Sequence, residues 1–206
     1  MKTIKLLSIL LLSTLSAFAN PGEKENKSSL PPLSSEWKEI KPQDIDVNAV
    51  KMFADDWMIL SAGKENNMNM MTIAWGALGE LWSKPTITVY VSTSRYTYKY
   101  MEENDYFTVT AFPEEYVDKM QYLGTKSGRD EDKVKGSGLT VEYTEQGNPI
   151  YKEANLAIEC KKIYSHQFEK DKMPAGQIRW YEQTHTGVHV MYIGEIVHVW
   201  KKEAKK

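Results

Sequence analysis

The segment Asn69-Met70-Met71-Thr72-Ile73-Ala74-Trp75-Gly76, followed by Thr86-Ile87-Thr88-Val89-Tyr90-Val91 and then Ser92-Thr93-Ser94-Arg95-Tyr96-Thr97, decides how this chain is read. The first two pieces are short, apolar and rich in β-branched and aromatic side chains, which predicts strands over Met70–Gly76 and Thr86–Val91. In the third piece the composition changes to small hydroxyl residues and an arginine. With the mixed run from Tyr96 to Asn104, it predicts a strand running straight into a short helix. Such a junction gathers free N–H groups, hydroxyls and a guanidinium, the donor set that suits a phosphate. It equally suits an N-capped helix with a surface arginine, and the residues alone leave both readings open. Met70, Met71 and Trp75 likewise suit either a flat aromatic ligand or an ordinary core.

Outward from this segment, further strands are expected at Trp57–Ala62, Tyr106–Phe112, Leu139–Tyr143, Ala154–Tyr164 and Gly187–Trp200. Gly63–Asn67 is expected as a turn, and short helices over Asn48–Asp55 and Pro113–Leu123. Many strands with few, short helices predict a mainly β domain with short helices, arranged as a closed or nearly closed antiparallel barrel. A doubly wound parallel sheet would need long helices between its strands.

At the N-terminus, Lys2 and Lys5 precede an apolar run from Leu6 to Leu12 and then Ala17-Phe18-Ala19. This is the pattern of a secretory signal peptide, residues 1–19, cleaved after Ala19. The apolar run is too short to span a bilayer, so no integral membrane segment is expected once the leader is removed. The mature protein is expected to be exported, to a bacterial periplasm. Residues 20–36, rich in Ser and Pro, are expected as a flexible linker, 37–200 as one folded domain and 201–206 as a basic tail.

Several chemistries are excluded early. The 206 residues hold 26 Lys and Arg against 28 Asp and Glu, so the basic excess that a nucleic-acid partner demands is missing. No G-x-G-x-x-G, P-loop or G-x-S-x-G pattern occurs. His185 and His189 fall in a stretch read as strand, about 13 Å apart along it, too far to share one ion, so no metal is expected. Cys160, the only cysteine, is expected to be a buried, inert thiol.

In order along the chain, Trp57–Gly63, Asn69–Gly76, Lys84-Pro85, Ser94–Thr97, Tyr106–Val109, Gly124–Asp130 with Lys133, and His189 with Gly194-Glu195-Ile196 resemble the flavin reductase-like, FMN-binding split-barrel family. The similarity covers Asp56 to Val199, and it implies a split β-barrel of antiparallel, Greek-key type that is usually a homodimer and binds FMN near the subunit interface. By position, it implies that Asn69, Met70, Met71, Thr72, Ala74 and Trp75 touch the flavin or ribityl chain. It implies that Ser92, Ser94, Arg95 and Thr97 hold the phosphate, and that Ser127, Gly128 and Lys133 add contacts from a loop closing over the cofactor. His189 is the implied catalytic residue, although Val188 stands where many members have Asp. The implied activity is transfer of hydride or electrons between a donor such as NAD(P)H and flavin or another acceptor. In an exported protein the donor would instead be a redox protein or a quinone-linked partner. The alternatives are an FMN-binding electron carrier without NAD(P)H activity, and a split barrel binding another small ligand.

Overall fold

A computed structural model describes residues 30–203. The predicted leader lies outside them. Of the predicted linker, residues 30–36 are described, and Leu33 packs against the core. Among the described residues the chain forms β1 (Lys38–Ile40), α1 (Ala49–Ala54), β2 (Met58–Lys64), β3 (Asn67–Ile73), β4 (Gly76–Leu81), β5 (Lys84–Ser92), α2 (Tyr96–Glu103), β6 (Tyr106–Ala111), α3 (Val117–Thr125), α4 (Lys133–Ser137), β7 (Val141–Tyr143), β8 (Pro149–Tyr151), β9 (Leu156–Gln167), α5 (Ala175–Thr184) and β10 (His189–Lys201).

One antiparallel sheet runs in the order β3-β2-β6-β9-β10-β5-β4, with β1 added on β10, and β7 and β8 form a separate hairpin. The barrel is split rather than closed. Its two edge strands, β3 and β4, are consecutive in the chain and joined only by Ala74 and Trp75. The three peptide links between Ile73 and Gly76 reach at most about 11 Å, so the two edges converge there without a ladder between them. This seam, with unpaired backbone groups along its rims, is where a ligand can approach the main chain.

Strand alternation divides the apolar residues between two cores. Met58, Leu60 and Ala62 of β2, with Met71 and Ile73 of β3, face the barrel interior together with Phe107, Val109, Ile158, Cys160 and Tyr192. Ile59 and Met70 point the other way, into a second cluster with Met120 and Leu123 of α3 and Ile150 and Tyr151 of β8. Coverage on both faces explains why β2 reads as an almost unbroken buried run. Cys160 is fully buried, and burial, reinforced by Glu159, pushes its thiol well above the usual range.

The structure differs from the sequence expectations at identifiable places. Gly63–Asn67 narrows to a two-residue turn, Glu65-Asn66, because β2 continues through Gly63 at φ 107° and Asn66 supplies φ 62°. Pro113–Leu123 divides into a 3-10 turn at Glu114–Tyr116 followed by α3. Met70–Gly76 ends as a strand at Ile73, and β4 starts at Gly76 in a glycine- and alanine-rich run with no strand signal. Gly76 is required there because Phe53 of α1 lies 2.3 Å from where a Cβ would be. The strand expected from Gly187 starts at His189, while His185 is the left-handed cap of α5. Helix α4 and strands β1 and β8 carry no clear sequence signal.

Candidate functional site

Beside the β3 edge lies a cleft of two adjoining lobes that share Met71, Arg95 and Thr186. The first lobe, about 240 Å³, lies where β5 runs into α2. The N-terminus of α2 leaves the amides of Tyr96 and Thr97 without helical acceptors. Asn69 of β3 donates from Nδ2 to Thr97 Oγ1 at 2.8 Å, tying the strand to the helix start. The opposite wall is the loop after α3, where Gly128 approaches so closely that an added Cβ would lie 2.2 Å from Asn69 Oδ1.

Charge is what sets this lobe apart. Arg95, Lys126, Arg129 and Lys133 line it, and no carboxylate does. Arg95 donates to the Gly124 carbonyl at 3.2 Å. Arg129 donates to the Ser94 carbonyl at 3.2 Å, with its guanidinium 5.0 Å above the Tyr96 ring. Lys126 pairs with Glu131 at 3.6 Å. Lys133 is buried and donates to the carbonyls of Met70 at 2.6 Å and Leu123 at 2.5 Å, pinning β3 to α3. Burial, then the neighbouring Arg95 charge, lowers its ammonium to about 8. An anion entering this lobe meets an excess of positive charge and the free amides of the helix start.

The second lobe, about 260 Å³, is aromatic and apolar, lined by Met71, Ile73, Ala74, Trp75, Tyr90 and Trp180 with Thr72, Ser92 and His189. Trp75 is half exposed, and its ring lies 5.0 Å from His189 and 6.3 Å from Trp180. His189, at the start of β10, is buried, and burial followed by the Arg95 charge lowers its imidazolium to about 4. The ring is therefore neutral at any ordinary pH.

The sequence matches the family model of the flavin reductase like domain over residues 50–206. The chain belongs to the flavin reductase-like family. Its fold resembles that of flavoredoxin from Desulfovibrio vulgaris (Miyazaki F), at 27% identity and TM-score 0.56 over 80% of this chain and 78% of that one. It also resembles the FMN-binding domain of a flavin reductases-like enzyme from Shewanella baltica OS155, at 16% identity and TM-score 0.59 over 81% and 77% of the two chains. An uncharacterised protein of Archaeoglobus fulgidus is 28% identical over 139 residues, 67% of this chain and 68% of its own length.

Most residues singled out by resemblance to the flavin reductase-like family converge on the cleft. Asn69, Met71, Ser94, Arg95, Thr97, Ser127, Gly128 and Lys133 line the charged lobe. Met71, Thr72, Ala74, Trp75, Ser92 and His189 line the aromatic one. At some of these positions the side chain is committed elsewhere. The Met70 side chain turns away into the second core, because strand alternation places it opposite Met71, and only its main chain faces Lys133. Ser92 lies in the aromatic lobe and not with the phosphate-type donors. Its hydroxyl donates to the Gly187 carbonyl at 2.7 Å and holds Ser94, 2.8 Å between the two oxygens. Thr72, too, spends its hydroxyl on the Met120 carbonyl. Tyr90, Tyr96, Arg129, Trp180 and Thr186 line the cleft without having been singled out. Arg129 sat within the Gly124–Asp130 motif. Pro174, placed just before α5, was the available signal for the helix that carries Trp180.

His189 also gives the fold a defined acid sensitivity. In the unfolded chain a histidine takes up a proton near 6.5, in the folded chain only near 4. Between those values the unfolded state binds more protons, so stability falls as pH is lowered through this window, by roughly 3 kcal/mol at most. Denaturant titrations at pH 6.5 and 4.5 should show a smaller loss for His189→Gln than for the parent. Equal losses would show that His189 does not contribute.

Proposed function

We propose that this protein is an exported, FMN-binding oxidoreductase. The observation that carries the reading is the pairing of a four-cation, carboxylate-free lobe at a helix N-terminus with an aromatic lobe sharing its wall. A phosphorylated sugar-like chain carrying a flat ring fits that division of charge and apolar surface. Arg95 and Arg129, with the amides of Tyr96 and Thr97, would hold the phosphate. The rim of β3 and Met71 would lie along the chain, and Trp75, Tyr90 and Trp180 would enclose the ring and exclude water. The flavin, once bound, supplies the hydride and electron chemistry. The protein supplies orientation, a neutral imidazole and an aromatic, apolar wall.

The flavoredoxin of Desulfovibrio vulgaris, similar in fold, supports a redox role. The leader-like N-terminus favours a donor other than NAD(P)H, namely a redox protein or a quinone-linked partner, over a cytosolic nicotinamide. The second copy of a homodimer is proposed to cover the half-exposed Trp75. One preparation tests these points together. Protein isolated from the exported fraction of its own host should begin at Asn20, be yellow, and release FMN on denaturation. A colourless protein that also fails to take up added FMN would refute the FMN assignment. Rapid bleaching by NADH without air would refute the choice of donor.

A further inference from the structure

Helix α5 brings to the aromatic lobe a residue that none of the sequence motifs contains. Tyr181 is buried, and its Oη lies 2.8 Å from His189 Nδ1. Its neighbour Trp180 packs against Trp75, which in turn lies on the His189 ring, so the imidazole is gripped from two sides. Among the described residues, His189 Nε2 has no hydrogen-bond partner, and it is not an enclosed atom. It opens onto the lobe that His189 lines.

The direction of the Tyr181–His189 bond follows from the partners. Burial raises the phenol of Tyr181, and among the described residues Nδ1 is the one hydrogen-bond partner of its hydroxyl. A phenol O–H is far more acidic than the N–H of a neutral imidazole, so the proton in this bond is the phenol's and Nδ1 accepts it. Imidazole nitrogen is also the better acceptor of the two. A neutral imidazole has one donor nitrogen and one acceptor, so accepting at Nδ1 places the ring proton on Nε2. The titratable and charged groups facing the ring are Arg95 from the β5–α2 junction, Tyr90 from β5 and Tyr181 from α5, with no carboxylate in the lining. None of them favours a second positive charge.

We propose that Tyr181 is a positioning residue that fixes His189 as its Nε2–H tautomer, so that the aromatic lobe offers a neutral hydrogen-bond donor to an acceptor atom of an uncharged planar ring. The identity of that ring as a flavin rests on the FMN reading above; the tautomer does not.

Nitrogen-15 NMR of the histidines tests the two parts separately. The mature protein without added ligand should show His189 protonated at Nε2 from pH 5 to 8. Tyr181→Phe should show mixed tautomers, because nothing then holds Nδ1 as the acceptor. An Nδ1-protonated parent ring, or a Tyr181→Phe tautomer signature like the parent's, would overturn the proposal. Adding FMN should then shift the Nε2 resonance. FMN that binds yet leaves that resonance unmoved overturns the donor role, whereas failure to bind FMN at all strikes the functional reading and leaves the tautomer result standing. His189→Gln, whose amide nitrogen mimics Nε2, should retain FMN affinity. His189→Asn, which mimics Nδ1, should lose about tenfold, the effect of one hydrogen bond. Equal affinities for the two variants would count against the donor.

Discussion

Arg95→Ala is expected to weaken FMN binding by about 10- to 150-fold, the value of one charge-assisted hydrogen bond to a phosphate. Arg95 stands where the two lobes meet, lining both. It is exposed, and its guanidinium's hydrogen bond to the Gly124 carbonyl is long enough at 3.2 Å to yield to a ligand. Removing it leaves the fold intact, since it fills no core. The effect should be specific to the phosphate: riboflavin, which lacks one, should bind the parent and the variant alike. Arg129→Ala should cost less, because the Arg129 guanidinium already lies on Tyr96 and bonds the Ser94 carbonyl. Titration of each variant with FMN and with riboflavin, read by flavin fluorescence, measures all four affinities. FMN affinity unchanged in Arg95→Ala would remove the phosphate from this lobe. His189 should respond as well, since the Arg95 charge is the second cause holding its imidazolium down.

Gly194→Val should destabilise the domain by about 3 kcal/mol or more, lowering the melting temperature by roughly 6 to 12 °C. A Cβ at Gly194 would lie 2.6 Å from Phe107 Cζ and 2.7 Å from Cys160 Cβ, both fully buried side chains in the barrel interior. The site has little slack, because the β10–β9 register already shifts between Ile193 and Gly194. A valine adds two further methyl carbons to this contact, and Phe107 has no solvent to move into. Combining Gly194→Val with Phe107→Leu should recover part of the loss, because the two positions contact one another and their effects cannot add. Thermal unfolding of the two single variants and the double variant provides the check. A Gly194→Val protein that melts with the parent would show that β10 can shift away from Phe107.

How much of this was legible from residues alone depended on local chemistry. β5 and β6 announce themselves through Thr, Ile, Val, Tyr and Phe, and the structure places them within two residues of expectation. α1 is set by Asn48, whose side chain accepts from the Lys51 amide at 3.1 Å. β4 is not legible, because Gly76-Ala77-Leu78-Gly79-Glu80-Leu81 has no β-branched residue. It becomes a strand by pairing with β5 across the Trp82-Ser83 turn, where both residues hold positive φ. α5 was hidden by Gly176 and by the apparent strand running into His189.

The candidate site shows the same division. Ser94, Arg95 and Thr97 sit in one short run, so a polar turn at the head of a helix could be recognised without knowing what faces it. Whether Arg95 was a surface charge or part of an anion cradle could not be decided there, because the answer depends on Arg129, Lys126 and Lys133 arriving from a different loop. Strand alternation separates Met70 from Met71, but only the packing of α3 on β3 determines which of them joins the cleft and which the second core. The partner of His189 is likewise a tertiary product, since Tyr181 reaches Nδ1 only after α5 folds back over the seam.

By itself, then, the sequence determined a mainly β, antiparallel domain and a donor-rich turn between β5 and α2, because propensity, alternation and helix-start chemistry act over a few neighbouring residues. The tertiary structure decided that β3 and β4 meet as unpaired edges, that four cations converge without a carboxylate, and that Trp75, Trp180 and Tyr181 surround a neutral His189. Burial and electrostatics depend on which residues become neighbours, and Trp75 meets Trp180 and His189 only once the chain has folded.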